Sequence, residues 1–201
     1  MIKGLLFDLG GVVVFNHLDK QLENFAKKLK IDVERVKESE NVEHDKLVLG
    51  KLSIKEFCSS IRNRFELEQD SPTLLLIWEE VYQETTQLNR ELIDVIGDLR
   101  KKYQVGLISN IFDVTASFHQ RQRLLAYFKP VILSCRVGLA KPDTDIFERA
   151  IKDMHLKGEE ILYIDDSENH LEVARSLGMK TILFKDNKQL LKEFKKLKIK
   201  G

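Results

Sequence analysis

Cysteine is nearly missing from this chain: of 201 residues, only Cys58 and Cys135 carry thiols. Neither their spacing nor their context makes a disulfide framework or a metal knuckle, which fits a reducing cytosol. Proline is scarce, with three residues, and tryptophan occurs once. No apolar run approaches the ~20 residues that cross a bilayer, and the sequence does not open on a cationic segment leading into a long apolar stretch. A cytoplasmic protein without a membrane partner is expected. An excess of one charge is absent too: 33 basic residues face 32 acidic ones, for a net charge of +1. That balance argues against nucleic acid or another acidic polymer as partner. The lysines of the tail, 192–200, read as the wet face of a terminal helix. There is no internal repeat and no low-complexity tract. Oligomeric state is not legible.

What is present begins at Ile2. Ile2-Lys3-Gly4-Leu5-Leu6-Phe7 is an apolar run of strand length without polar alternation, the pattern of a strand buried on both faces in a parallel sheet. It ends in Asp8, with Gly10 and Gly11 close behind, and open α/β sheets place ligands at such strand ends. Helical spacing follows: Leu18, Leu22, Phe25, Ala26 and Leu29 share a face, and Asp32 can cap the next helix. Residues 36–49 are weakly periodic and highly charged, and Gly50 is a stop. Ser53 with Glu56 forms a capping box, and Ser71-Pro72 opens a further helix whose buried side is Leu74, Leu75, Trp78, Val81 and Tyr82. Residues 16–86 therefore read as a small all-helical insertion. From Asn89 onward helices alternate with short apolar strands at 104–109, 131–134, 161–164 and 181–184. Residues 1–15 and 87–201 should thus form an α/β domain, a Rossmann-like parallel sheet of five strands covered by helices on both faces.

Polar groups gather at or just beyond the strand ends: Asp8, then Ser109-Asn110, then Lys141-Pro142, then Asp165-Asp166. Each alone has a bland explanation, as a turn residue, a cap or a solvated lysine. Together, in this order, the stretches Phe7-Asp8-Leu9-Gly10-Gly11-Val12, Leu107-Ile108-Ser109-Asn110, Gly138-Leu139-Ala140-Lys141-Pro142-Asp143 and Ile164-Asp165-Asp166-Ser167 resemble the haloacid dehalogenase superfamily, in the branch with a helical cap after the first strand. The resemblance implies a hydrolase, most often a Mg²⁺-dependent phosphatase of small phosphorylated metabolites, sugar phosphates among them. In it Asp8 would attack phosphorus and form an aspartyl-phosphate. Lys141 would stabilise charge on the nucleophile and the transferring group. Ser109, with the neighbouring backbone and the Asn110 amide, would hold phosphoryl oxygens. Mg²⁺ would be bound by Asp8, the Gly10 carbonyl and Asp166, with Asp165 direct or one step removed.

One position departs from the family pattern. Gly10 stands where most of its phosphatases carry a second aspartate, which protonates the leaving group and later activates water. General acid–base help of that kind is worth roughly 10²–10⁴-fold. Its absence points to a substrate with a good leaving group, to a proton from elsewhere, or to a weak or inactive relative. A 2-haloacid dehalogenase, whose halide leaves unprotonated, is the alternative enzyme, but the acidic pair argues against it. A binding or regulatory protein that keeps the fold is the alternative outside enzymes. His170, where the family has Asn, is either a proton source or a helix-surface histidine. Asn16 and His17, near the start of the insertion, are candidate substrate contacts.

Overall fold

The computed structural model describes residues 1–200. The chain runs β1 (Gly4–Phe7), β2 (Val14–Phe15), α1 (Leu18–Leu29), α2 (Val33–Val48), α3 (Ile54–Arg64), α4 (Ser71–Thr85), β3 (Gln87–Leu88), α5 (Arg90–Leu99) and β4 (Gln104–Ser109). It continues through α6 (Asp113–Arg121), β5 (Val131–Leu133), α7 (Ser134–Val137), α8 (Thr144–Met154), β6 (Ile161–Asp165), α9 (Glu168–Ser176), β7 (Lys180–Leu183) and α10 (Asn187–Lys196). The five longer strands form one parallel sheet in the order β5-β4-β1-β6-β7. The chain moves outward from β1 through β4 to β5, then returns to the other side of β1 for β6 and β7. That reversal opens a crevice at the carboxyl end of β1.

Alternation along the strands builds two cores. Leu5, Phe7, Val105, Leu107, Leu162 and Ile164 face one side, where α5 and α10 supply Leu92, Ile96, Leu190 and Phe194. Leu6, Ile108 and Tyr163 face the other, against Ile146 and Phe147 of α8 and Leu171 and Ala174 of α9. Continuous burial of β1, β4 and β6 explains why these strands lack polar alternation.

Helices α1–α4 lie between β2 and β3, which pair as a two-residue antiparallel ribbon that the sequence pattern does not reveal. Their starts follow local chemistry. The Asp32 carboxylate accepts Arg35 N–H at 2.8 Å, the Ser53–Glu56 box is closed in both directions, and Asp70 accepts Thr73 N–H at 2.9 Å. Helix α2 shows little periodicity because it buries only Val36, Ser39, Glu40, Leu47 and Val48 of its sixteen residues. The inserted helices share a core centred on Trp78, whose ring meets Phe25 and Phe57 edge-on at 5.1 and 5.8 Å.

That core extends into the α/β layer, since Phe112 and Val114 are part of it. Polar ties join the two parts as well. Tyr82 Oη and His119 Nε2 are 2.6 Å apart, Arg121 pairs with Glu79 at 2.7 Å, and Asp113 accepts the Ile54 N–H at 3.1 Å. Burial lowers His119 to about 4 and raises Tyr82, so their bond joins two neutral groups at pH 7. Gly50, at φ +67°, approaches so closely that a Cβ there would lie 2.1 Å from the Cys135 carbonyl oxygen.

Leu74 is fully buried one turn before Trp78, the sole tryptophan. Leu74→Ala should remove about 2–5 kcal/mol of stability, read from urea unfolding followed by Trp78 fluorescence. A loss below about 1 kcal/mol would contradict this packing.

Candidate active site

The in-register pairing of β1 with β4 and β6 brings three strand ends to one level. Phe7 stands beside Leu107 and Ile164, and Asp8 N–H bonds the Ile164 carbonyl at 2.9 Å. Asp8 and Asp165 thus emerge side by side, and Asp8 is only 6% exposed. Lys141 reaches between them from the loop before α8. Its Nζ lies 2.8 Å from Asp8 Oδ1 and 2.8 Å from Asp165 Oδ2, with the residue 5% exposed. One oxygen from each of Asp8, Asp165 and Asp166 lies within 4.8 Å of the others.

The four groups differ in how they are held. Asp165 is saturated: besides Lys141 it takes the Ser167 N–H at 2.8 Å, the Tyr163 hydroxyl, and His170 Nδ1 at 3.1 Å from each oxygen. Burial works to raise its pKa, but His170, Lys141 and Tyr163 together hold it below the ordinary carboxylate range. Asp8 has fewer partners, and burial pushes it up to about 6 against the downward pull of Lys141. Burial also opposes the Lys141 charge, yet the two carboxylates outweigh it and the ammonium is stabilised. Asp166 faces solvent, and partial desolvation with the Asp165 charge raises it. The ionised set carries three negative charges against one positive. A divalent cation held by Asp8 and Asp166 would offset that excess and relieve the like-charge repulsion. Gly11 makes the close approach possible: at φ +76°, a Cβ there would fall 2.0 Å from Asp166 Oδ2.

Other expected residues take different places. The Asn110 side chain clasps the Lys141 backbone, donating to its carbonyl and accepting its N–H, both at 2.8 Å. One carboxamide N–H and the carboxamide oxygen are therefore engaged by the Lys141 backbone, and the second N–H stays available. Ser109 is buried, its hydroxyl 3.3 Å from the next carbonyl. His170 is not the surface histidine of a solvated helix face. Its side chain is 21% exposed and its Nδ1 is engaged by Asp165. Asn16 Oδ1 lies 3.5 Å from where a Cβ at residue 10 would stand, so a carboxamide borders the position without a carboxyl. His17 is exposed and lines an outer cleft instead. Tyr163 escaped the sequence reading altogether. The available signal was its i, i+2 relation to Asp165, which puts both side chains on one face of β6.

The family model for haloacid dehalogenase-like hydrolases matches residues 2–178. The chain belongs to this haloacid dehalogenase-like hydrolase family. It is 30% identical over 190 residues to D-ribitol-5-phosphate phosphatase of Bacteroides thetaiotaomicron, covering 90% of this chain and 91% of that one. A crystal structure of a haloacid dehalogenase family enzyme from the same bacterium, in complex with magnesium and inorganic phosphate, superimposes with a TM-score of 0.76. It shares 26% identity over 94% of this chain and 99% of that one. A predicted hydrolase of the family from Porphyromonas gingivalis gives a TM-score of 0.81 at 25% identity, with both chains fully covered. Among the described residues no helix is long and apolar enough to cross a membrane.

A cation held by Asp8 would compete with a proton there. Asp8 near 6 is half protonated at pH 6, while a cation requires the carboxylate, so binding releases a proton from that fraction. Calorimetry of Mg²⁺ binding in buffers of differing ionisation enthalpy should show about half a proton or more released at pH 6, and close to none at pH 8. Equal release at both would contradict the raised Asp8.

Proposed function

We propose that this chain is a Mg²⁺-dependent phosphatase of small phosphorylated metabolites, with sugar or polyol phosphates as the substrate class. The observation that carries the reading is the meeting of Asp8, Lys141, Asp165 and Asp166 at one sheet edge with a charge excess of −2 when all are ionised. A dehalogenating site has no use for that excess. The likeness to a ribitol phosphate phosphatase over nearly the whole chain supports the same class.

In this reading Asp8, the Gly10 carbonyl and Asp166 hold the cation, with Asp165 behind them. When bound, Mg²⁺ neutralises charge on the phosphoryl oxygens and keeps Asp8 ionised. An Asp8 oxygen attacks phosphorus, the ester P–O bond breaks, and an aspartyl-phosphate forms; water then hydrolyses it. Lys141 balances the nucleophile and follows the charge as it passes to the phosphoryl group. The Ser109 hydroxyl and the backbone N–H groups of the following turn receive phosphoryl oxygens. Asn110 sets Lys141 through its backbone. Gly10 supplies no proton, so the leaving alkoxide takes one from water as the P–O bond breaks, with Asn16 beside it donating a hydrogen bond, and the water that cleaves the aspartyl-phosphate gives its proton to solvent. Residues 16–86 act as a cap over residues 1–15 and 87–201, closed through Tyr82–His119 and Glu79–Arg121.

Phosphate and chloride release should be measured from pentitol phosphates, sugar phosphates and 2-chloropropionate, with Mg²⁺ and with chelator. Phosphate release should depend on the metal, fall at least about a thousandfold in Asp8→Asn, and fall about 10²–10³-fold in Lys141→Ala. Phosphate release that survives Asp8→Asn, or metal-independent chloride release, would overturn the proposal.

A further inference from the structure

Lys141 has a third partner besides its two carboxylates. Its Nζ lies 3.2 Å from the Tyr163 hydroxyl oxygen. An ammonium carries three N–H groups, and Asp8, Asp165 and Tyr163 between them accept all three. The Lys141 side chain is 1% exposed, so this set of acceptors is internal to the protein. No N–H is left over for a phosphoryl oxygen. Contact with one therefore requires Lys141 to give up a partner.

The three contacts are unequal. Those to Asp8 and Asp165 are charge-assisted on both sides at 2.8 Å, whereas the phenol is a neutral acceptor at 3.2 Å. Either carboxylate, deprived of Lys141, would lose a buried counter-charge, which is costly. The Tyr163 oxygen loses less. Its O–H donates to the ionised Asp165, so it stays hydrogen-bonded when Lys141 leaves. The phenol itself cannot follow the ammonium: its ring is fully buried, edge-on to Phe147 at 5.6 Å and packed with Leu6, Ile108 and Ile146. The Lys141 backbone is clasped by Asn110. What can swing is the flexible lysine stem. A phenylalanine at 163 would fill the same apolar layer, so packing alone does not account for the hydroxyl.

We propose that Tyr163 is the exchangeable partner of Lys141: its hydroxyl holds the third N–H and yields it to a phosphoryl oxygen, while continuing to anchor Asp165. Tyr163 is thus a positioning residue, acting on the ester only through Lys141. The inference rests on the phosphatase reading and adds the step by which Lys141 frees a donor. A charged phosphoryl oxygen is a stronger acceptor than a phenol, so the exchange runs toward the ligand and orphans no buried group. Removing the hydroxyl should then favour the anion. Loss of a mere structural brace would do the opposite, by loosening Lys141 and Asp165.

The test is calorimetric titration of inorganic phosphate into the Mg²⁺-loaded protein, wild type and Tyr163→Phe, with melting curves to confirm folding. Without the hydroxyl, the third N–H meets phosphate with no partner to displace. Phosphate affinity should rise about threefold to tenfold. KM for a pentitol phosphate should fall by a similar factor, with kcat within about twofold of wild type. Unchanged or weakened phosphate binding by folded Tyr163→Phe would overturn the exchange, and metal-dependent turnover by wild type would leave the phosphatase reading intact. Wild type alone supplies a second measurement, whether or not the variant folds. A crystal structure with Mg²⁺ and tungstate should show Lys141 Nζ on a tungstate oxygen and beyond hydrogen-bond reach of Tyr163 Oη, with the Tyr163–Asp165 bond kept. Nζ still bonded to Tyr163 would overturn the proposal. Tighter phosphate binding by Tyr163→Phe in a protein that hydrolyses no phosphate ester would uphold the exchange and remove the phosphatase. Neither phosphate binding nor turnover would remove both.

Discussion

One lysine held dry between two carboxylates is the contact on which the rest of this structure depends. Lys141 Nζ sits 2.8 Å from both Asp8 and Asp165, and all three residues are almost fully buried. Charges in such surroundings persist only when paired and hydrogen-bonded. The pairing is complete for Asp165, which has four kinds of partner, and incomplete for Asp8 and Asp166. The unbalanced remainder is thus located on the two carboxylates that face the crevice. A site with this asymmetry has one group kept ionised by protein and two others available to a cation.

The surrounding elements keep that arrangement in place. The parallel register of β1, β4 and β6 fixes the level at which the acids emerge. Asn110 ties the loop carrying Lys141 to the end of β4 through two hydrogen bonds, much as a strand pair would. Tyr163 and His170 brace Asp165 from below and from the first turn of α9. The inserted helices are anchored to this platform through Phe112 in their own core and through hydrogen bonds to α6.

Much of this was legible in residue order. The strand ends carrying Asp8, Ser109 and Asp165 were marked by apolar runs that stop at a polar residue, because strands buried on both faces leave no other pattern. Helix starts at Asp32, Ser53 and Ser71 were legible because capping is local chemistry. The β2–β3 ribbon was not, since two-residue strands have no period. That the Asn110 carboxamide clasps the Lys141 backbone was not legible, because residue type cannot say which way a carboxamide turns; its partner is thirty-one residues away. His170 could be read as a surface residue for the same reason: its neighbour Asp165 lies across a strand–helix junction.

The most direct test of the central claim is a crystal structure with Mg²⁺ and beryllium fluoride, which mimics a phosphoryl group bonded to a carboxylate. The account predicts beryllium on an Asp8 oxygen, a single cation shared by Asp8, the Gly10 carbonyl and Asp166, and Lys141 Nζ in contact with both Asp8 and a fluoride. Beryllium on another residue, or a cation bound away from Asp8 and Asp166, would contradict it.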